Sequence, residues 1–287
     1  MNLIPPPLAV TGSTGELGGR VAALLSAAGV KQRLLARTPR KAPPLDGATV
    51  LQAAYENTSA TRTALSGAET VFMVSASESR DRLDQHCDFV DAAVEAGVRQ
   101  LIYVSFVGAA QDAVFTLARD HYATEEYIRA SGLHHTFLRD NFYADFLPDL
   151  VGADGAIRGP AGEGRAAVVA RDDVARTAAA ILRAPQKHVG ATYELTGPEA
   201  LSLAEVARLL SDIGPRRVTY VNESVPEAYA SRASYGAPPW QLDAWVSTYL
   251  AIAAGALERV SGDIERITGE PPMSLAQLLR SERAGTA

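Results

Sequence analysis

From Leu8 to about Asp140 the chain alternates short apolar runs with longer amphipathic ones. The short runs are Leu8–Thr11, Gln32–Ala36, Thr49–Gln52, Thr70–Ser75, Gln100–Ser105 and Thr136–Arg139. They are β-branched and apolar on both faces, which is how strands buried in a parallel sheet read. Between them, helical periodicity covers Leu17–Ala28, Ala60–Leu65, Leu83–Ala96 and Ala118–Ala130. Gly29, Gly97 and Gly132 stand where a helix-ending glycine belongs. This alternation predicts an α/β fold, a Rossmann-like doubly wound parallel sheet with helices on both faces.

After Asp140 the rhythm changes. A loop rich in Gly, Asp and Pro runs from Pro148 to Gly164, followed by a strand over Ala166–Ala170, a helix over Asp172–Leu182 and a strand over Thr192–Leu195. A helix over Leu203–Ser211 and a strand over Arg217–Val221 come next. From Pro226 on the pattern is mostly helical, with Trp240–Leu257 the longest piece. The expected organisation is a large domain over 1–147 and a smaller, mostly helical lobe over 148–287 that interleaves with it. The strands around 166–170 and 192–195 are candidates to rejoin the main sheet.

The chemistry starts at Thr11-Gly12-Ser13-Thr14-Gly15-Glu16-Leu17-Gly18, directly after the first strand and opening the first helix. In that context one glycine permits a tight turn, another lets backbone approach a pyrophosphate, and the last packs helix against strand. The helix start then offers free N–H groups and positive dipole to the anion. The expectation is a dinucleotide site; the alternative is a plain structural turn. The second strand ends in Arg37-Thr38-Pro39-Arg40-Lys41, with no Asp or Glu between Glu16 and Asp46. A carboxylate there would accept from a ribose 2′-OH. Arg37, with Lys41 nearby, suits a 2′-phosphate instead, which points to NADPH unless this is merely a solvated basic loop.

Ligands of open α/β sheets bind at the carboxyl ends of the strands. Val74, Ser75 and Ala76 should therefore pass the adenine ribose and pyrophosphate. Ser105, Phe106 and Val107 should flank the nicotinamide, and Asn141 and Phe142 should lie beside nicotinamide or substrate. Phe142, Tyr143, Phe146 and Trp240 could wall a flat apolar pocket, although helical packing explains the i, i+4 pair Phe142 and Phe146 equally well.

Composition narrows the picture. With 287 residues, 47% apolar and 21% charged, the chain is an ordinary globular protein rather than a disordered or coiled-coil one. A net charge of -6 argues against non-specific nucleic-acid binding. Cys87 is the single cysteine, so no intramolecular disulfide or cysteine zinc site is available. His134-His135 has no metal-ligand spacing around it, and no metal is expected. Met1–Pro7 lacks the charged and apolar regions of a secretory signal, and no run reaches a membrane span's ~20 apolar residues. A cytoplasmic location is the default expectation. The three lysines are Lys31, Lys41 and Lys187, and none of the ten tyrosines has a lysine four residues on. The Tyr-x-x-x-Lys pair of ordinary short-chain reductases is therefore absent.

At the corresponding helix stands Ala118-Arg119-Asp120-His121-Tyr122-Ala123-Thr124-Glu125-Glu126-Tyr127, and later Thr136-Phe137-Leu138-Arg139-Asp140-Asn141-Phe142-Tyr143. With the G-x-x-G-x-x-G spacing, these stretches make the chain resemble the NmrA-like group of atypical short-chain dehydrogenases/reductases. Within it the likeness is to the NADPH-dependent quinone oxidoreductase and triphenylmethane reductase type. It covers nearly the whole chain, including Gly190–Ala200. Relatives carry a His-x-x-Thr-Glu helix and a Thr-x-Leu-Arg-Asn strand end; here Asp140 stands in the asparagine's place, with Asn141 one residue late. The resemblance implies hydride transfer from NADPH to a small-molecule acceptor, without flavin, and a homodimer as candidate assembly. A quinone or cationic dye suits a site without the Tyr–Lys pair, since it needs mainly proximity and orientation. His121 is the catalytic candidate. With an ordinary pKa near ~6.5 it could exchange a proton at neutral pH, or hydrogen-bond the nicotinamide or ribose; the bland alternative is a helix-surface histidine beside Asp120. Some members of the group sense NADP(H) and act through a protein partner, and a non-catalytic regulator is the alternative function.

Overall fold

Residues that are apolar on both faces lose least by going inside a sheet, and the chain places them there. The structure, a computed structural model, describes residues 6–285. Its strands are β1 (Leu8–Val10), β2 (Gln32–Ala36), β3 (Ala48–Gln52), β4 (Thr70–Met73), β5 (Gln100–Phe106), β6 (His134–Asp140), β7 (Ala156–Gly159), β8 (Arg165–Ala166), β9 (Thr192–Leu195), β10 (Leu201–Ser202) and β11 (Thr219–Asn222). Its helices are α1 (Glu16–Ala27), α2 (Ser59–Leu65), α3 (Arg82–Glu95), α4 (Thr116–Ala130), α5 (Arg171–Leu182), α6 (Leu203–Ile213), α7 (Val225–Arg232), α8 (Pro239–Ala253), α9 (Asp263–Thr268) and α10 (Leu275–Gly285). Seven strands form one sheet in the order β3-β2-β1-β4-β5-β6-β9. The pairs β3–β2, β2–β1, β1–β4 and β4–β5 are parallel. This is the expected Rossmann-like sheet, with a largely helical C-terminal region after it. No described helix is long and apolar enough to cross a membrane.

The chain divides into two compact units that alternate along the sequence. The first holds residues up to Ser105, Asp120–Arg139 and Val174–Tyr193; the second holds Phe106–Arg119, Asp140–Asp173 and Glu194 onward. The chain thus passes from the first unit to the second inside β5, β6 and β9, and back to the first inside α4 and α5.

In the first unit Val71, Met73, Phe89, Val90, Leu101, Ile128 and Phe137 are buried together. Each such side chain contributes roughly 1.5–3 kcal/mol by leaving water. On α4 the stripe that carries Ile128 also carries Glu125, which is fully buried. Its carboxylate accepts from Arg139 Nε and Nη2 at 2.8 and 2.6 Å, from Ser105 Oγ at 2.6 Å and from Arg129 Nη2 at 3.1 Å. Four donors on one carboxylate are what make its burial tolerable.

The second unit has its own core, including Leu147, Ile157, Val206, Tyr249, Ile252 and Leu278. Gly159 admits Tyr249 so closely that a Cβ would lie 2.2 Å from the ring. Two features depart from the sequence pattern. The strand expected over Ala166–Ala170 is only Arg165–Ala166, paired with β10 in a separate two-stranded sheet. Beyond it Ala167 N–H bonds Leu257 and Val169 N–H bonds Phe142, so these residues find irregular partners instead of a strand. The region from Pro148 to Gly164, expected as loop, contains β7, which pairs in parallel with β11. Four residues that include Arg158 and end in glycine give too little periodicity to read as a strand.

Replacing Glu125 with alanine leaves the Arg139 guanidinium without its carboxylate. The expected loss of unfolding free energy is about 3–5 kcal/mol, read by urea denaturation; a loss below about 1 kcal/mol would show the pair to be unimportant.

Candidate active site

The loops after β1 to β4 enclose a cleft of about 560 Å³ that lies wholly within the first unit. One wall is the glycine loop and the start of α1. Gly12 takes φ +65°, and a Cβ there would lie 3.0 Å from Val74 Cβ. A Cβ on Gly18 would come within 2.4 Å of the Gly12 carbonyl oxygen and 2.7 Å of that of Thr11. Both glycines are therefore required for helix and strand to meet. Gly15 N–H closes the turn on Gly12 O at 2.9 Å. As N-cap of α1, Gly15 supplies no side-chain cap, so the first-turn amides are left for an outside acceptor. Ser13 is buried, and its Oγ has no hydrogen-bond partner among the described residues.

The cleft floor is tied by a ring of hydrogen bonds. Val74 N–H donates to Thr11 Oγ1 at 2.9 Å, Thr11 Oγ1 lies 2.7 Å from the Tyr55 hydroxyl, and that hydroxyl donates to the Val74 carbonyl. Burial pushes the Tyr55 pKa up, so the phenol keeps its proton. Of the residues expected to hold a cofactor, Gly12, Thr14, Gly15, Glu16, Leu17, Gly18, Arg37, Val74, Ser75 and Ala76 line this cleft together. Glu16 also pairs with Arg20 at 3.3 Å. Lys41 lies on a neighbouring groove with Ser13, Thr14 and Arg20. Arg37 and Lys41 are both exposed.

Beside the cleft α3 and α4 share a buried polar cluster. His121 is buried, with Nε2 2.9 Å from Arg82 Nη2 and Nδ1 2.9 Å from the Tyr103 hydroxyl. An arginine only donates, so Nε2 accepts and the ring proton sits on Nδ1. His86 follows the same logic: Ala76 N–H donates to its Nε2 at 2.8 Å, and its Nδ1 faces Thr124 Oγ1 at 2.9 Å. The Thr124 hydroxyl in turn donates to the Asp120 carbonyl at 2.7 Å. Burial, then the Arg82 charge, pulls the His86 pKa down to about 3 and that of His121 well below the ordinary histidine range. The expected titration of His121 near neutrality is therefore corrected: its ring is neutral, because burial beside a guanidinium excludes a second positive charge.

Neither Arg82 nor His86 was assigned a role from the sequence. The signal is in the helical phase. Arg82, His86, Phe89, Val90 and Ala93 fall on one stripe of α3, and His121, Thr124, Glu125 and Ile128 on one of α4. Polar residues in phase with core residues must find buried partners.

The other expected residues are placed as follows. Ser105 is buried in the first unit and donates to Glu125. Phe106 and Val107 belong to the core of the second unit. Asn141, also in that unit, spends both ends of its amide on backbone: Nδ2 donates to Leu257 O at 2.9 Å and Oδ1 accepts from Phe142 N–H at 2.7 Å. Phe142 packs edge-to-face on Phe146 at 5.9 Å. The Tyr143 hydroxyl donates to Asp140, with the Arg171 guanidinium 4.8 Å above its ring. Trp240 is half-buried in the first turn of α8. No group of residues among those described could hold a metal ion.

The model of the NAD(P)H-binding family matches residues 12–185. Over 277 residues, 94% of this chain and 96% of the other, the sequence is 33% identical to quinone oxidoreductase 2 of Escherichia coli strain K12. It is 30% identical to an NAD(P)H azoreductase of Xenophilus azovorans over 281 residues, 96% and 97% of the two chains. The chain belongs to the NAD(P)H-binding family. Among solved structures, the E. coli NADPH-dependent quinone oxidoreductase complexed with NADPH matches with a TM-score of 0.87 at 31% identity, covering 96% of this chain and 99% of that one. The Citrobacter triphenylmethane reductase complexed with NADP(H) matches with a TM-score of 0.83 at 28% identity, covering 96% and 99%. For a member of the NAD(P)H-binding family the cleft has what a pyrophosphate requires: two glycines with no room for a Cβ, a helix start without a side-chain cap and a buried hydroxyl with no partner among the described residues.

The neutral histidines make stability depend on pH. In the unfolded chain each protonates near pH ~6.5, whereas in the fold both resist, so acid adds protons to the unfolded state first. Stability is full above about pH 6.5 and falls below it by about 1.4 kcal/mol per pH unit for each ring. Urea midpoints from pH 7 to 5 check this: His86→Gln is expected to remove about one proton from the slope, and an unchanged slope would mean that His86 titrates alike in both states.

Proposed function

We propose that the protein is an NADPH-dependent reductase that delivers hydride to a quinone or a similarly easily reduced acceptor such as an azo or triphenylmethane dye. The observation that carries this reading is the glycine cradle at the uncapped start of α1, with Arg37 at the rim where a ribose-binding carboxylate would otherwise stand. The names of the relatives supply the acceptor class. The sequence agrees with it: no lysine lies between Lys41 and Lys187 and no tyrosine has a lysine four residues on, so no Tyr–Lys proton donor is available for a poorly reactive ketone.

NADPH supplies the hydride when bound. The backbone of Gly12, Ser13, Thr14, Gly15, Glu16, Leu17 and Gly18 holds the pyrophosphate at the helix start. Arg37 and Lys41 meet the 2′-phosphate, for which a guanidinium forms a charge-assisted fork. Val74, Ser75 and Ala76 form the facing wall along the ribose and pyrophosphate. Ser105 and His121, engaged by Glu125 and by Arg82 and Tyr103 respectively, would support the nicotinamide end from behind the cleft lining. Because the His121 ring is neutral and both its nitrogens are engaged, it orients neighbouring groups, and solvent supplies the proton that completes a hydroquinone.

NADPH and NADH consumption with a panel of quinones, dyes and enones, wild type beside His121→Ala and Arg37→Ala, tests the reading. Turnover by the wild type is expected. Arg37→Ala is expected to raise the Kd for NADPH at least about tenfold, the worth of one charge-assisted bond, and to leave NADH nearly unchanged; equal losses would remove the 2′-phosphate role. Equal turnover in His121→Ala would take His121 out of the mechanism. Tight NADPH binding without turnover on any acceptor would favour a non-catalytic sensor acting through a protein partner.

A further inference from the structure

We propose that Arg82 and His86 are positioning residues of the cofactor cleft, which fix its Val74–Ser79 wall by taking both backbone hydrogen-bonding groups of Ala76. The inference rests on the dinucleotide reading of that cleft. Beyond Met73 the chain leaves the sheet, and its peptide groups lose the ladder partners that β4 enjoys. Buried backbone groups must be paired, and here side chains do it. Val74 is held by Thr11 and Tyr55 through its N–H and C=O. Two residues on, Ala76 N–H donates to His86 Nε2 at 2.8 Å, and Ala76 C=O accepts from Arg82 Nε at 2.9 Å. Tying the backbone on both sides of Ser75, at residues 74 and 76, fixes the path of a wall that Ser75, Ala76 and Ser77 line.

The arrangement is costly if stability were its only purpose. The Arg82 side chain is 5% exposed, and its carboxylate partner, Asp120, lies 3.6 Å away. Replacing such buried ionic groups by apolar ones is often neutral or stabilising. A guanidinium is nevertheless placed here with one edge on the wall's carbonyl and another on His121 Nε2 at 2.9 Å. His86 continues the tie to Thr124 on α4. The two helices thus hold the wall by directional bonds that an apolar contact cannot supply.

The test compares His86→Met, Arg82→Met and His86→Gln with the wild type. Hydrogen exchange of the 74–81 segment is measured in the free protein, and the Kd for NADPH by calorimetry, with melting temperatures recorded alongside. Glutamine places an acceptor oxygen close to the position of Nε2, whereas methionine offers only a weakly accepting thioether sulfur. Both methionine variants are expected to speed exchange of the segment and to weaken NADPH binding by about tenfold, the worth of one hydrogen bond. His86→Gln is expected to restore both to within about threefold. If all three variants melt lower but exchange the segment and bind NADPH like the wild type, the residues are structural and the proposal falls. It falls equally if His86→Gln is as defective as His86→Met. A wild type that does not bind NADPH would instead overturn the dinucleotide reading and the binding role with it, whereas the exchange measurement in free protein still decides whether the wall is held by these two side chains.

Discussion

The cleft depends on one close approach. The start of α1 lies so near the end of β1 that the Gly18 position has no room for a Cβ against the Gly12 carbonyl. That contact brings the first-turn amides of α1 to the mouth of the sheet, where no side chain caps them. A side chain at either position would push helix and strand apart, and the amides would no longer converge. The remaining walls are set relative to this one, through the Thr11–Tyr55–Val74 ring at the floor and the buried cluster of α3 and α4 beyond it.

A second constraint is charge in the interior of the first unit. Glu125 and Arg82 both lie on the inward stripes of helices, and they are accommodated in different ways. Glu125 is satisfied by a bidentate arginine, a second arginine and a serine. Arg82 is satisfied mostly by neutral acceptors, a carbonyl and an imidazole, with its carboxylate partner more distant. The first pattern cancels charge. The second leaves a positive field in a poorly solvated place, and burial, reinforced by that field, holds two histidines neutral. A neutral His121 cannot be a reservoir of protons near pH 7, so chemistry near it depends on orientation and on acceptors that need little acid assistance.

Much of this was legible in the chain. The short two-faced apolar runs and the period-3.6 patterns place β1 to β6 and α1 to α4 within a few residues, because buried parallel strands and amphipathic helices leave strong local traces. The glycine loop is legible for the same reason: its demands on backbone are met by residue type at fixed spacing. The absence of the Tyr–Lys pair needs only a count. What fails is short or irregular: β7, four residues in a loop-like stretch, and the segment after β8, whose backbone bonds go to distant loops.

The cluster around Arg82 belongs to the other category. Residue identities place Arg82, His86, His121 and Thr124 on inward helix faces, but not which atom meets which. Hydrogen-bond direction, tautomer and protonation follow from distances of a few ångströms between residues up to 39 positions apart in sequence, and only packing sets those distances. The reactive-looking histidine of the sequence is therefore a neutral, fully engaged ring in the fold. Periodicity encodes which face of an element turns inward; the electrostatics of that interior arise only when several such faces meet.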